Sequence, residues 1–415
     1  MKHIWKKYLE TPFVIKMSVG FLLGIIVGFI FHSKAEVLRP FGTLLIHLLS
    51  LIAIPIIFLT VVLAVTQMSV TQLGRIGGKL LVYYAITTAA ALFIGLGLAL
   101  WFNPGSHLTL PNVHVDKPTT PHFSEILLQV VPENMFQAFT AGDIMAIIFL
   151  AIIMGLAISS MKFSADAKMK DYGLLIEKAF TAFYEMFYKI LKGILAYTPI
   201  GVFAISAATF GSQGLETLKS LFTFIWVFYL GLIILWVVVY SGFIKISGNS
   251  VIYFFKQTKE AYTTAFFTSS SIASLPIAIS SAKKAGVSDR TANFALPLGA
   301  VFNSDGGALR MGLSIVFAAN VTNLQFSISD YFIIILVGTL LSIGTAGVPA
   351  AGLITLSAVL TMFGLPLEVV ALIAGVDAII GMGGTASNVI GDIVGAVVVD
   401  RSEREEITPS PTHVI

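Results

Sequence analysis

Long runs of apolar residues alternate with short polar segments from the N-terminus to about residue 250. A run of about 20 apolar residues is long enough to cross the hydrocarbon core of a bilayer as one helix. The pattern predicts six such spans, at about residues 12–32, 38–68, 78–102, 142–160, 172–208 and 218–247. We therefore expect an all-α integral membrane protein that contacts the lipid bilayer along much of its length.

Lysine and arginine residues predict the orientation of these spans, because cytoplasmic loops carry an excess of them. The segments 103–125 and 209–217 carry few lysine or arginine residues. The first run is too long for the core of a signal peptide, so we expect it to be retained. We predict a multi-pass protein of the inner or plasma membrane with both termini in the cytoplasm. Basic residues stand before the first run and after the second, fourth and sixth: Lys2, Lys6, Lys7, Arg75, Lys79, Lys162, Lys168, Lys170, Lys256 and Lys259.

Two later segments are too short or too broken to cross a bilayer as single helices. The segments 266–280 and 342–358 each hold a cluster of Ser, Gly or Pro between apolar arms. Such a pair is typical of a transporter site built from half-helices. Lys283 and Lys284 follow the first segment, whereas the base-free stretch 320–330 precedes the second. We interpret the pair as two re-entrant hairpins entering from opposite faces, which implies inverted repeats. Two kinked ordinary helices are the alternative.

Polar side chains recur in the apolar C-terminal part of the chain. The stretch LPLGAVFNSDGGALRMG, at 296–312, has polar residues that are unfavourable in a helix facing lipid. Ionisable residues within a membrane usually face a partner or a cavity. Further along, the stretch GMGGTASNVIGD belongs to a helical pattern. Stripes of small residues also mediate plain helix packing, which explains the glycines of that pattern but not its aspartates. At helical spacing one face of it carries Asp377, Gly381, Gly384, Thr385, Asn388 and Asp392.

Composition and charge narrow the chemistry. Of the 415 residues, 56% are hydrophobic and 11% charged, and the net charge is only +3, which argues against a nucleic-acid partner. The chain has no Cys, so disulfides and thiolate metal sites are excluded. The candidate core holds the carboxylates Asp305, Asp377 and Asp392 against the single guanidinium of Arg310. An unpaired buried carboxylate binds a cation or becomes protonated. Hard oxygen ligands therefore indicate sodium or protons as coupling ions.

Four motifs in this order, SSSIASLP, NSDGGA, GTAGVPAAG and TASNVIGD, resemble the dicarboxylate/amino acid:cation symporter family, which includes the glutamate transporters and their prokaryotic homologues. The resemblance covers nearly the full length. It implies eight transmembrane helices plus two re-entrant helical hairpins, a homotrimer, and an elevator mechanism in which a transport domain slides against a static scaffold. On this basis we expect scaffold at 1–76 and 126–214, transport domain at 77–125 and 215–402, and a cytoplasmic tail at 403–415.

The resemblance also implies up to three sodium sites. Gly307 stands where the family has a Thr, which weakens the third of them. Read alone, the hydroxyl residues of the third site are equally compatible with a packing face. The matching positions are Gly299, Asn303, Asn388 and Asp392 for the first site, Ser342, Ile343 and Thr345 for the second, and Tyr84, Thr87, Thr88, Asn303 and Asp305 for the third.

The substrate positions depart from the family pattern. The family's acidic amino acid transporters have an ammonium-binding Asp at the position of Gly381 and a carboxylate-binding Arg at that of Gly384. Arg310 stands where a Tyr is common, and we expect its planar fork to bind a substrate carboxylate in the space over the two glycines. The alternative is that Arg310 only pairs with Asp377 or reaches an interface. The remaining matched positions are Ser270, Ser271, Gly347, Val348, Thr385 and Asn388.

The sequence thus predicts a sodium-coupled secondary transporter of a small organic anion, either a dicarboxylate or an amino acid. Absence of the ammonium-binding Asp favours a ligand without an amino group. The main alternative is a proton-coupled carrier of a neutral amino acid or another small solute. An ion channel would need a continuous polar path, whereas the polar residues of this sequence cluster at mid-depth with two apparent gates. An intramembrane hydrolase would need a base beside a nucleophile, and all seven His lie outside the core cluster, so we do not expect an enzyme.

Overall fold

The computed structural model describes residues 11, 13–66, 76–108, 131–342 and 351–407. Within these ranges the regular structure is entirely helical. A 3-10 helix, His32–Leu38, joins the first two α-helices, and a π-helical segment, Leu235–Tyr240, joins the seventh and eighth. In chain order the α-helices are α1 (Phe13–Phe31), α2 (Arg39–Thr66), α3 (Gly78–Phe102), α4 (Met135–Ala141), α5 (Ile144–Lys162), α6 (Ala167–Gln213), α7 (Leu215–Ile234), α8 (Ser241–Ile246), α9 (Val251–Thr268), α10 (Ser271–Lys284), α11 (Asp289–Phe302), α12 (Asp305–Thr322), α13 (Ile328–Ser342), α14 (Ala351–Met362) and α15 (Glu368–Ile407).

The six predicted spans are confirmed as helices: they correspond to α1, α2, α3, α5, α6 and the continuous α7–α8 segment. By length and composition, five helical stretches of the described chain are able to cross a membrane, and the first of them holds both α1 and α2. Helix α5 belongs to a group of shorter apolar helices. The largest boundary difference is at α6, which has 47 residues instead of the predicted 37 or so. Its N-terminus is fixed by the Asp166 side chain, which accepts a hydrogen bond from the Lys168 amide at 2.9 Å.

The first predicted hairpin is a helix–turn–helix unit. Helix α9 ends at a left-handed residue, Ser269, with φ 48°. The Ser270 hydroxyl then accepts a hydrogen bond from the Ala273 amide at 3.2 Å and caps α10. Because α9 and α10 pack against each other, the chain reverses here and does not merely kink. That the hairpin is re-entrant in a membrane stays a prediction.

The arms of the second predicted hairpin, α13 and α14, also contact each other. Its tip, residues 343–350, lies outside the described residues. Four of the predicted site residues are in this tip: Ile343, Thr345, Gly347 and Val348.

The predicted interruption within 296–312 is confirmed at two residues. Helix α11 ends at Phe302, Asn303 is extended with φ −107° and ψ 123°, and α12 begins at Asp305. In contrast, α15 is one continuous helix of 40 residues, so the predicted polar stripe does share a face. The interrupted pair α11 and α12 thus packs on the continuous helix α15.

The helices pack in two sets. One set consists of α1, α2, α5 and α6, and the other of α3, α7 and α9 to α15. The sets meet where α14 packs on α2 and where α15 passes α1 and α6. Within the second set α3 and α12 approach closely, because Gly95 of α3 lies against the Leu309 backbone.

This close approach generates a stability prediction. A Cβ on Gly95 would collide with the Leu309 carbonyl, whereas a Cβ on Gly97, two residues along α3, would meet nothing within 4 Å. Gly95→Ala should therefore destabilise the protein by about 1–3 kcal/mol, the usual cost of overpacking. Gly97→Ala is the matched control and should be neutral or slightly stabilising, because Ala favours a helix over Gly. The measurement is the thermal midpoint of the detergent-solubilised protein, and equal midpoints for the two variants would refute the α3–α12 contact.

Candidate functional site

Asp305, the first residue of α12, accepts hydrogen bonds from three hydroxyl groups. Its Oδ1 accepts from Thr88 at 2.8 Å and from Thr87 at 3.2 Å, both on α3. Its Oδ2 accepts from the Tyr240 hydroxyl at 2.8 Å. Asp305 and these three partners are completely buried. Two of the three hydroxyl residues predicted for this site, Thr87 and Thr88, are therefore in direct contact with it.

Asp392 lies beside the break between α11 and α12. The Asn303 side chain donates through Nδ2 to Asp392 Oδ1 at 2.9 Å and to the Asn388 carbonyl at 3.2 Å. Asn303 Oδ1 is buried and has no hydrogen-bond partner in the part of the chain that the structure describes. An orphaned buried oxygen next to a buried carboxylate is an arrangement that a cation would complete.

Gly299 allows the α11 backbone to approach this carboxylate. A Cβ on Gly299 would lie 2.6 Å from Asp392 Cγ and 2.6 Å from the Tyr84 hydroxyl oxygen. The Tyr84 hydroxyl itself donates to the Ala295 carbonyl at 3.3 Å. The structure thus brings together Tyr84, Gly299, Asn303 and Asp392, residues that the sequence assigned to two different sodium sites.

The Asn388 side chain makes a different contact from the one expected for a cation ligand. Its Oδ1 accepts a hydrogen bond from the Gly306 amide at 2.8 Å, in the first turn of α12. This bond satisfies an N–H that has no partner within its own helix. Asn388 therefore connects α15 to the positive end of α12.

The two glycines of the α15 stripe have different surroundings. Gly384 packs on Gly306 of α12, where a Cβ on Gly306 would collide with the Gly384 backbone. A Cβ on Gly381, in contrast, would meet no atom of the described chain within 4 Å. Helix packing thus accounts for Gly384, whereas the expectation that Arg310 and a substrate fill the space over the two glycines stays a prediction. Open space remains at Gly381.

Arg310 forms a buried ion pair with Asp377, through Nη1 and Oδ1. Its guanidinium also lies against Gly352 of α14, so a side chain at that position would require the Arg310 side chain to move. Asp377 is thus neutralised. The described residues include no ion-pair partner for Asp305 or Asp392, which leaves the core with two uncompensated carboxylates.

Several predicted substrate residues, and Ser342 of the second predicted sodium site, are not linked to this cluster by polar contacts in the described structure. Ser270 caps α10 and Ser271 begins it, at the turn of the first hairpin. Thr385 is half-buried on α15, and Ser342 is buried at the last residue of α13.

Sequence reasoning missed Tyr240, Trp236 and Ser387. Trp236 donates from Nε1 to the Ser387 hydroxyl at 2.9 Å, and the Tyr240 oxygen lies 3.1 Å from the Ser387 carbonyl. Trp236 and Tyr240 belong to the π-helical segment. A search at the α-helical period cannot assign their faces, because a π segment shifts the register. The only signal was a Tyr inside an otherwise apolar run.

The donor set suits a hard monovalent cation better than a transition metal. No group of three or more His, Cys, Asp or Glu side chains is placed to hold a metal ion among the described residues. The oxygens near Asp305 and Asp392 are instead hydroxyl, amide, carboxylate and backbone oxygens, which hard cations prefer.

The sequence of this chain is similar to one protein-family model and to several known transport proteins. Residues 13–402 match the model of the sodium:dicarboxylate symporter family. A proton/sodium-glutamate symport protein of Geobacillus stearothermophilus is 31% identical over 402 residues, which cover 94% of each chain. C4-dicarboxylate transport protein 2 of Mesorhizobium japonicum is 30% identical over 411 residues, covering 96% of this chain and 91% of the relative. A proton/glutamate-aspartate symporter of Bacillus subtilis is 30% identical over 410 residues, covering 96% of both. The chain therefore belongs to the sodium:dicarboxylate symporter family, a family of multi-pass membrane transport proteins and not of enzymes.

Proposed function

We propose that this protein is a sodium-coupled symporter of a small organic anion. The observation that carries the proposal is the pair of buried, uncompensated carboxylates, Asp305 and Asp392, beside the orphaned oxygen of Asn303. Removing a carboxylate from water without a counter-ion costs several kcal/mol. A bound cation with several oxygen ligands offsets that cost, which supports binding of cations in the core.

This charge count supports two cation sites. One would use Asp392, Asn303 Oδ1 and the carbonyl of Gly299, with Tyr84 adjacent. The other would use Asp305 with the hydroxyls of Thr87 and Thr88, which already point at it. A third site at Ser342, Ile343 and Thr345 rests on the family resemblance.

Proton coupling is the second candidate, because protonation also neutralises a carboxylate. The names of three relatives contain proton as well as sodium coupling, and that of the Bacillus subtilis proton/glutamate-aspartate symporter contains proton coupling alone. Mixed amide and carbonyl oxygens favour sodium, since a proton needs only a single acceptor whereas a cation needs several ligands.

The Arg310–Asp377 pair supports an anion without an amino group as substrate. Asp377 is engaged by the guanidinium, so its charge is not available to a substrate ammonium. The open space at Gly381 lies one helical turn from Asp377 on the same face of α15. We place the substrate there, next to Thr385, with a carboxylate bound by the free edge of Arg310. The relatives named for C4-dicarboxylates fit this chemistry.

The packing of the helices supports an elevator mechanism. The first helix set lies within 1–76 and 126–214, and the second within 77–125 and 215–402 apart from the end of α15. All described residues of the proposed sites lie in helices of the second set or at the break between α11 and α12. Movement of that set as one body against a homotrimeric scaffold formed by the first would carry substrate and cations together.

The cation sites generate the first functional prediction. Asp392→Asn should raise the sodium concentration for half-maximal uptake by at least about tenfold, the scale seen when partners of metal ligands are removed. It should leave the order of preference among substrates unchanged. Asp289→Asn, which alters an exposed carboxylate at the start of α11, is the control. Uptake into proteoliposomes at graded sodium concentrations measures the effect. Uptake of equal size in sodium-free buffer, driven by a pH gradient, would show that protons and not sodium ions are the coupling ions.

The Arg310–Asp377 ion pair generates the second functional prediction. Arg310→Ala alone leaves Asp377 buried and unpaired, which is destabilising by about 3–5 kcal/mol. The informative variant is therefore Arg310→Ala with Asp377→Asn. It should bind sodium normally but lose substrate affinity by roughly one to two orders of magnitude, the worth of a charge-assisted hydrogen bond. Arg310→Lys should restore little, because an ammonium cannot form the bidentate fork.

Asp377→Asn alone is the comparison variant: it keeps the guanidinium but removes its carboxylate partner, so its thermal midpoint is measured first, and the folded variant should retain transport of the anion. Dicarboxylate binding to the purified variants, measured calorimetrically at saturating sodium, gives the affinities. Wild-type affinity in the double variant would show that Arg310 does not bind the substrate.

A further inference from the structure

The junction of α7 and α8 brings an additional hydroxyl group to the cation cluster. Tyr240 is completely buried, and its hydroxyl oxygen lies 2.8 Å from Asp305 Oδ2 and 3.1 Å from the Ser387 carbonyl. A phenol has a single proton to donate. The shorter contact, to a charged acceptor, is the stronger of the two, so the proton is assigned to Asp305.

Tyr240 has a distinct role among the donors to this carboxylate. Thr87 and Thr88 both donate to Oδ1, whereas Tyr240 is the donor to Oδ2 among the described residues. Hydrogen bonds to both oxygens fix the plane of a carboxylate. Without Tyr240, Asp305 is held at one oxygen and can rotate about the bond to its carboxyl carbon.

The π-helical segment determines where this hydroxyl points. The segment Leu235–Tyr240 contains six residues, and such segments are frequent at functional sites because they shift the register of the next helical turns. The Ser241 hydroxyl donates to the Trp236 carbonyl at 2.9 Å within it. Trp236 and Tyr240 both contact Ser387, so α15 holds the segment at two points.

Gly391 leaves the space that the phenol occupies. A Cβ at this position would lie 2.8 Å from the Tyr240 oxygen, 2.7 Å from Asn303 Nδ2 and 3.1 Å from Asp305 Oδ2. The position of the Tyr240 hydroxyl is thus determined from three directions, by the π segment, by Ser387 and by Gly391.

We propose that Tyr240 is a positioning residue for sodium binding. It holds Asp305 through Oδ2 so that Oδ1 stays directed at Thr87 and Thr88, where the cation would bind. The inference rests on the proposed sodium coupling, and it adds a residue from the α7–α8 segment to a site otherwise formed by α3 and α12.

The test is Tyr240→Phe, which removes the hydroxyl and keeps the ring. The sodium concentration for half-maximal uptake should rise about tenfold, the scale for outer partners of metal ligands. The maximal rate, and the substrate KM at saturating sodium, should stay within about twofold of wild type. Tyr83→Phe is the matched control, because the neighbouring Tyr83 hydroxyl is buried without a partner among the described residues. It should leave the sodium dependence unchanged.

A double-mutant cycle distinguishes positioning from a purely structural role. Sodium binding is measured as the sodium-dependent rise in thermal midpoint, which does not require transport. If Tyr240 acts through Asp305, Tyr240→Phe should have little further effect in an Asp305→Asn background. An equally large effect in both backgrounds, or wild-type sodium dependence in Tyr240→Phe, would overturn the proposal. A wild-type protein that transports without sodium would instead overturn the proposed coupling and leave the hydrogen bond to Asp305 as a structural contact.

Discussion

Two carboxylates buried without a counter-ion are the constraint on which the rest of the core depends. Asp305 and Asp392 are both almost fully inaccessible and have no cationic side chain beside them in the described structure. A protein interior tolerates such groups only when dipoles or ions compensate them. Here the compensation by protein alone is uneven. Asp305 receives three hydroxyl hydrogen bonds, whereas Asp392 receives one from an amide. Asp392 therefore has the greater need of a cation.

This constraint accounts for the irregular backbone. A continuous helix through Asn303 and Ser304 would use their backbone groups internally and would turn Asn303 away from Asp392. The break frees the first amides of α12, and Asn388 takes up one of them at Gly306. The close contact between Gly306 and Gly384 then lets α12 and α15 approach closely enough for these bonds. Neighbouring residues of α12 and α15 thus provide both the close packing of the two helices and the polar contacts between them.

Sequence alone was sufficient wherever a property is local. Apolar runs predicted α1, α2 and α3 to within two residues, and the Asn-Ser-Asp-Gly-Gly cluster predicted the break before α12. Helical spacing predicted the common face of α15. The ends of α6 were missed, because amphipathic and polar turns extend it beyond its apolar run.

Properties that depend on tertiary contact could not be obtained in this way. The sequence left Arg310 either binding a substrate carboxylate, pairing with Asp377 or reaching an interface, and only the approach of α12, α14 and α15 shows the pair with Asp377 and the contact with Gly352. Tyr240 was hidden by a shift in helical register. Asn388 was expected to face a cation, and its bond to Gly306 arises from the position of a helix end that the sequence does not reveal.

The contact between Arg310 and Gly352 has a consequence for how this sequence could have diverged. An arginine at 310 is stabilised by a carboxylate at 377, because otherwise a cation is buried alone, and its present side-chain position is compatible only with a residue that lacks a side chain at 352. The three positions lie on three different helices and are far apart in sequence. They are nevertheless expected to covary among relatives, with Gly at 352 and Asp at 377 present before Arg appears at 310. A larger residue at 352 would displace the guanidinium from the position in which it now meets Asp377.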